Sequence, residues 1–270
     1  MMSAAWEDRP GAADHDVRSI AASSGRRLAP LVYDLLKDEL LGGSYTAGER
    51  LAVEELKARL GVSKQPIMDA LRRLASDGLV EIIPQVGCRV PVYEEQDVAD
   101  FFAIFGGLEG AVAAVAAQRC APGQLDELIT VNTRIGLLAD DMDPAARARG
   151  YRLLNRSFHA IVHDMAHSPV VAGISRRMWD MSDLLISTTG IPQPLAFAVP
   201  ARHDDHERII VAIRDRDQFR ARAEMEAHIV GTVPLIHTGS RYQQAGEQVA
   251  GPGSERGSDA RCRRTACTAT

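Results

Sequence analysis

The sequence predicts a mostly α fold in two parts: an N-terminal unit of three helices and a β-hairpin, then an all-α bundle of about six helices. Three observations carry this. Apolar residues recur at helical spacing through most of the chain. Gly and Pro interrupt those stretches at helix-length intervals. Two short apolar runs, Leu79 to Ile83 and Cys88 to Val92, flank Pro84-Gln85-Val86-Gly87, the pattern of a hairpin with Gly in its turn.

The first helix is expected over Leu28 to Leu41, with Leu28, Leu31, Val32, Leu35, Leu36 and Leu40 on one face; Gly42-Gly43-Ser44 ends it, and Gly48-Glu49-Arg50-Leu51 reads as a turn. A short helix, Val53 to Leu60, stops at Gly61, where a left-handed backbone lets the chain turn sharply. Ser63 is expected to cap the next helix by accepting a backbone N–H, and Pro66 sits in its first turn, where a missing donor is tolerated. Ile67, Ala70, Leu71 and Leu74 bury one face of that helix, which leaves Ser63, Lys64, Gln65, Met68, Asp69 and Arg72 wholly or partly off it. Gly78 ends the helix and the hairpin follows. Two helices joined by a tight turn, with a hairpin behind them, make a winged helix-turn-helix, whose second helix enters a DNA major groove by its N-terminal end. Gln65 suits adenine there and Lys64 suits guanine or a phosphate. Arg50, Arg72, Arg73 and the wing's Arg89, beside Gly87, read as phosphate clamps.

Beyond Tyr93 the periodicity is helical throughout: Asp97 to Arg119, Gly123 to Ala139, Pro144 to Ala166, Pro169 to Ser187, Pro200 to Arg214 and Asp217 to His237. Pro122, Pro144, Pro169 and Pro200 stand at or near helix starts. Thr188 to Val199, with Gly190, Pro192 and Pro194, is the one long internal loop. In the first bundle helix Asp97, Phe101, Phe102, Leu108 and Val112 read as core and hinge contacts. This places a DNA-binding unit at 25–93 and a helical unit at 94–238. Residues 1–24 and 239–270 lack periodicity and read as unstructured tails.

Composition adds bounds. The formal charge of −5 argues against a polycationic coat, and residues 26–93 hold ten Arg or Lys against nine Asp or Glu, so DNA affinity must come from where charges sit. Cys88, Cys120, Cys262 and Cys267 match no zinc or disulfide framework and suggest a reducing compartment. No apolar run looks long enough to span a bilayer, and the acidic N-terminus does not fit a signal peptide. The expectation is a cytoplasmic protein with no membrane partner.

Gly48-Glu49-Arg50-Leu51, Leu60-Gly61-Val62-Ser63-Lys64-Gln65-Pro66-Ile67, Ala70-Leu71-Arg72-Arg73-Leu74, Asp77-Gly78-Leu79-Val80 and Gly87-Cys88-Arg89-Val90 together resemble the GntR family of bacterial transcription regulators, in its FadR-like branch with a C-terminal FCD domain. The resemblance covers roughly residues 28 to 237. It implies a homodimer on an imperfect palindromic operator of double-stranded DNA, regulated by a small-molecule effector of the carboxylate class held in the helical domain. Family members commonly carry Arg at the positions of Lys64 and Met68, so Lys64 loses the planar fork and Met68 the charge. The branch also implies a divalent metal site, matched here by Asn155 and His159 in NRSFHAIVH, His206, and His228. Asn155 and His159 stand at i and i+4 and so share a helix face. Three imidazoles and an oxygen suit Zn, Ni, Co, Mn or Fe, although Asn155 brings no negative charge. Arg152 and Arg156 flank that site as candidates to bind an acidic effector, whereas His163, His167 and His203 read as bystanders. Phe105 replaces an Arg often found before the Leu108-Glu109 pair, which makes the expected pocket less polar. Two alternatives stand beside a ligand-released repressor: a metal-sensing regulator, and a metal-dependent hydrolase with Glu207 as base. No nucleophile elbow, phosphate-cradling loop or HExxH motif favours an enzyme.

Overall fold

A computed structural model describes residues 25–84, 87–189, 191 and 193–236. The expected tails and the turn residues Gln85 and Val86 lie outside the described residues. The N-terminal unit runs α1 (Leu28–Leu41), β1 (Arg50–Leu51), α2 (Val53–Leu60), α3 (Lys64–Ser76), β2 (Glu81–Ile83) and β3 (Gly87–Arg89). Gly61 ends α2 in the left-handed region, at φ 63°, as a tight inter-helix turn requires. Val32, Leu36, Leu40, Ile67, Leu74 and Val90 are all fully buried and form the unit's core, so the apolar faces of α1 and α3 meet there.

Two local expectations change. Arg50–Leu51 is a strand rather than part of a turn: it pairs antiparallel with β3, Arg50 opposite Arg89 and Leu51 opposite Cys88, in a sheet of order β1-β3-β2. The pairing puts Leu51 and Cys88 together on the buried face, and a backbone bond from Val90 N–H to Glu49 O, 2.9 Å, continues the ladder. Ser63 does occupy the N-cap position of α3, with extended backbone, but its side chain makes no capping hydrogen bond.

The bundle comprises α4 (Glu95–Arg119), α5 (Pro122–Leu137) with a 3₁₀ turn at Leu138–Asp140, α6 (Pro144–Ala166), α7 (Pro169–Ser187), α8 (Val199–Arg214) and α9 (Gln218–Val230). The last helix was expected to reach His237; instead it stops before Gly231, and a further helical turn occupies 233–236. Helix α4 is the central element and packs on α6, α7, α8 and α9. Its glycines admit α9 closely: a Cβ on Gly110 would stand 2.9 Å from Arg222 O, and one on Gly106 3.0 Å from Val230 Cγ2. By length and composition alone α4 could cross a membrane, contrary to the sequence reading. Here it is the hub of the helical core, and Phe102, Phe105, Ala113 and Ala117 lie in that core.

The two units share α7. Leu184, 1% exposed, belongs to the core of the N-terminal unit, and Met181 packs against it. Trp179 and Leu185 on the same helix belong to the bundle core. Lys37 Nζ of α1 lies 2.5 Å from Asp180 Oδ2, and Ser187 Oγ donates to Leu40 O at 2.9 Å. One helix therefore joins both hydrophobic cores.

Candidate functional site

The first three residues of the α3 face proposed for DNA, Ser63, Lys64 and Gln65, are exposed, as is Arg72, and Met68 is half-buried beside them. Asp69 organises this face. Its carboxylate accepts from Gln65 Nε2 at 3.0 Å and from Arg72 Nη1 at 3.1 Å, so two candidate readers are held by a neighbour before DNA arrives. Pro66 is buried and shapes the first turn rather than presenting a surface. Arg73, also exposed, differs from Arg72 in that its guanidinium lies 3.8 Å from the centre of the Tyr33 ring on α1. On the wing, Arg89 Nε donates to Glu81 Oε2 at 3.0 Å with both side chains about half exposed, and Arg50 stands exposed on the neighbouring strand. Gly87 opens β3 with φ 124°, a conformation that glycine tolerates.

In the bundle, three helices bring three imidazoles together. His159 of α6, His206 of α8 and His228 of α9 each offer a ring nitrogen, all within 4.8 Å of one another, and all three rings are buried. Hydrogen bonding sets their tautomers. Asn132 Nδ2 donates to Glu207 Oε1 at 2.7 Å, which turns Asn132 Oδ1 to accept from His206 Nδ1 at 3.2 Å. Asp205 Oδ2 accepts from His228 Nδ1 at 3.2 Å. Both Nε2 atoms consequently carry lone pairs, and these two nitrogens face each other at 3.2 Å. Neither nitrogen of His159 has a partner among the described residues. Burial, then the neighbouring His228, drives the His159 and His206 pKa values well below 6.5; burial also lowers His228 against the pull of Asp205. Three neutral imidazoles with converging, unused lone pairs fit a divalent cation, which supplies the attraction that facing lone pairs lack. Asn155 lies one turn before His159, with its Oδ1 accepting from Tyr151 OH at 3.2 Å.

Beside the triad lies a cavity of about 320 Å³. His228 and Asn155 form one wall, Phe102, Tyr151 and Trp179 give it an aromatic side, and Arg149, Arg152 and Asp183 bring charge. Leu195 and other residues of the loop between α7 and α8 also line it. Its remaining wall is Leu41, Gly42 and Gly43, the end of α1, so the cavity lies between the winged unit and the bundle. Arg152 lines it as expected. Arg156 does not: it stands behind Asp183, with Nε 2.9 Å from Asp183 Oδ2 and Nη2 3.0 Å from Asp180 Oδ1. Burial raises the Asp183 pKa despite that guanidinium. The Trp179 indole N–H is buried without an acceptor among the described residues.

A family model described as bacterial regulatory proteins, gntR family, matches residues 28–90, and one for the FCD domain matches residues 100–231. The chain belongs to the GntR family. Among curated GntR-type relatives, it is 23% identical to the HTH-type transcriptional repressor GlaR of Escherichia coli over 76% of this chain and 93% of that one. It is 34% identical to a probable D-xylose utilization operon transcriptional repressor of Paenarthrobacter nicotinovorans, over 33% of this chain and 40% of that one. In fold it is similar to E. coli McbR/YncC, with a TM-score of 0.67 and 20% identity, covering 82% of this chain and 99% of that one. This GntR regulator is therefore a DNA-binding transcription regulator with an FCD domain, and not an enzyme. Glu207, the candidate base, is held by Asn132 on the side of the His206 ring that faces away from the triad.

Several residues of this regulator's site escaped the sequence. Asn132 and Asp205 support two of the histidines, yet a lone Asn on an amphipathic helix and an Asp beside Asp204 carry no distinctive spacing. His163 is no surface bystander: it is buried, 3.0 Å from Glu109 Oε1, with Ser175 Oγ bonded to both. His167 ends α6 in the left-handed region, exposed, and His203 packs against Gly136, so neither joins the triad. Phe105 makes an edge contact with Trp179 at 4.9 Å, and Trp179 lies 4.2 Å from the His159 ring. Phe105 thus backs Trp179, one of the aromatic residues that line the cavity.

Proposed function

We propose that this regulator is a homodimeric repressor in the cytoplasm, bound through its two winged units to half-sites of an imperfect palindrome and released when a small carboxylate fills the interdomain cavity. The cavity carries the reading, because its wall includes Leu41, Gly42 and Gly43 of the winged unit. A ligand there contacts both units and so distinguishes their arrangements, the condition for shifting a conformational balance. Arg149, Arg152 and the partnerless indole N–H of Trp179 suit an acid, while Phe102 and Tyr151 suit an apolar body. His159, His206 and His228 would hold a divalent ion, Zn, Ni, Co, Mn or Fe, with Asn155, one turn before His159, as the fourth ligand. When bound, such an ion supplies a Lewis-acid anchor for a carboxylate at the cavity wall formed by His228. Two curated relatives carry the name repressor, which supports the sign of the response.

The transmitting element is α7. Asp183 lines the cavity, Arg156 links Asp183 to Asp180, and Asp180 holds Lys37 of α1. An acid that pairs with Arg152 beside Asp183 changes the charge at one end of this series of ion pairs. The test is fluorescence anisotropy of labelled upstream DNA with a panel of short mono- and dicarboxylates, before and after EDTA treatment. Release by an acid that persists after chelation supports this reading. Release by removal or addition of the ion alone favours a metal sensor. A DNA affinity indifferent to every acid and to the ion overturns ligand response altogether.

A further inference from the structure

Glu109 is fully buried near the middle of α4, and among the described residues no Lys or Arg lies within ion-pair distance of it. Such a carboxylate is expensive unless something compensates it. Its partners are Ser175 Oγ at 2.5 Å, His163 Nε2 at 3.0 Å and, further off at 3.8 Å, His159 Nδ1. His159 is also the histidine of the triad that lacks a supporting partner: His206 has Asn132 and His228 has Asp205, whereas both His159 nitrogens are unpaired. The ligand set is neutral throughout, three imidazoles and the Asn155 amide, and Asp205 already faces Arg202 and Arg208. One buried carboxylate with no Lys or Arg partner among the described residues therefore stands next to the one triad histidine without a hydrogen bond.

We propose that Glu109 is a positioning residue for the ion site: it accepts the Nδ1–H of His159, presents Nε2 to the cation, and supplies the negative charge that the ligand set lacks. Ser175 bonds Oε1 and His163 Nε2 reaches both oxygens, at 3.0 and 3.2 Å, so a small rotation that brings Oε2 to His159 Nδ1 across the 3.8 Å gap leaves Oε1 held by Ser175 and His163. This rests on the reading of the triad as an ion site.

The test is Zn²⁺ competition with a chromophoric chelator on the full chain, with circular dichroism and melting of the metal-free protein alongside. Glu109→Gln keeps the shape and removes the charge; its Zn²⁺ affinity is expected to fall about 10- to 100-fold, the range for residues that support metal-bound imidazoles. Its metal-free melting temperature is expected to hold or rise, since a buried charge is gone. A merely structural Glu109 would lower melting and leave Zn²⁺ affinity intact. Glu109→Asp, which draws the charge back by one methylene, serves if the first variant fails to fold and is expected to lose about tenfold. Zn²⁺ binding by the wild type, with either folded variant within twofold of it, overturns the role of Glu109 alone. A wild type that binds no Zn²⁺ overturns the ion site and this proposal with it.

Discussion

Acid should destabilise the metal-free protein through its histidine triad, and the geometry sets how much. His159 and His206 are buried, and burial holds their pKa values well below 6.5 in the folded chain, whereas the unfolded chain restores the ordinary 6.5. A depressed folded value means that the unfolded state takes up protons first. The stability contributed is present above pH 6.5 and is lost as pH falls from there towards the folded values. Between pH 7 and pH 5.5 each such histidine costs on the order of 1 kcal/mol, and His228 adds part of the same amount. Urea midpoints measured in EDTA at both pH values, followed by tryptophan emission, provide the assay, since Trp179 lies 4.2 Å from the His159 ring. Other groups titrate in this window, so the decisive quantity is a difference between proteins. His159→Leu removes an imidazole whose two nitrogens lack partners among the described residues and should shrink the pH-dependent loss by on the order of 1 kcal/mol, roughly half a molar unit of urea at a typical slope. An identical pH dependence in wild type and variant would refute the claim that this ring is held neutral by burial.

Three further outcomes are expected. Lys64→Ala with Arg72→Ala should lower the salt slope of upstream-DNA binding by about 2, at about 0.9 per lost phosphate contact, while Arg73→Ala, which unstacks Tyr33, should leave that slope unchanged; anisotropy titrations across salt concentrations check both. Gly110→Ala should cost about 1–3 kcal/mol in thermal melts because its Cβ would meet Arg222 O at 2.9 Å, whereas Gly107→Ala, with open space around it, should be neutral or stabilising. Asp180→Asn should cost about 1–3 kcal/mol, between the values for surface and buried pairs, since Lys37 and Arg156 lose a common partner that is 16% exposed; combined with Lys37→Met, a double-mutant cycle should show strong non-additivity.

What could be read from the chain, and what could not, divides by distance along it. The bounds of α2, α6 and α7 were legible because Gly61 and the prolines at 144 and 169 act within one turn. The gathering of His159, His206 and His228 was legible only through a family resemblance, since nothing local places α6, α8 and α9 around one point. A two-residue strand, Arg50–Leu51, is too short to display alternation, and only its partner Cys88, 37 positions on, reveals it. That Arg73 stacks on Tyr33 was not legible, because Tyr33 lies on another helix. Glu109 was visible merely as half of a Leu-Glu pair, for the residues that give it meaning, His163 and Ser175, are 54 and 66 positions away.

The proposed effector response draws on the same long-range packing. A regulator whose two cores were separated by a free linker would let each unit ignore the other. In this chain Leu184 and Met181 pack with the winged core while Trp179, two residues before Met181, packs with the bundle core and lines the cavity. Packed interiors resist continuous deformation, so a ligand pressing on Trp179 and Asp183 cannot be accommodated in the bundle alone without also disturbing how Leu184 seats against the winged helices. Lys37 and Ser187 hold the same face of α7 to α1 by an ion pair and a hydrogen bond, polar contacts that can exchange partners more readily than the apolar seat can shift. Adjustable polar contacts around a fixed apolar seat would let α7, which lines the cavity from Trp179 to Ser187, pass a change at the cavity directly to α1, since Ser187 both lines the cavity and bonds Leu40.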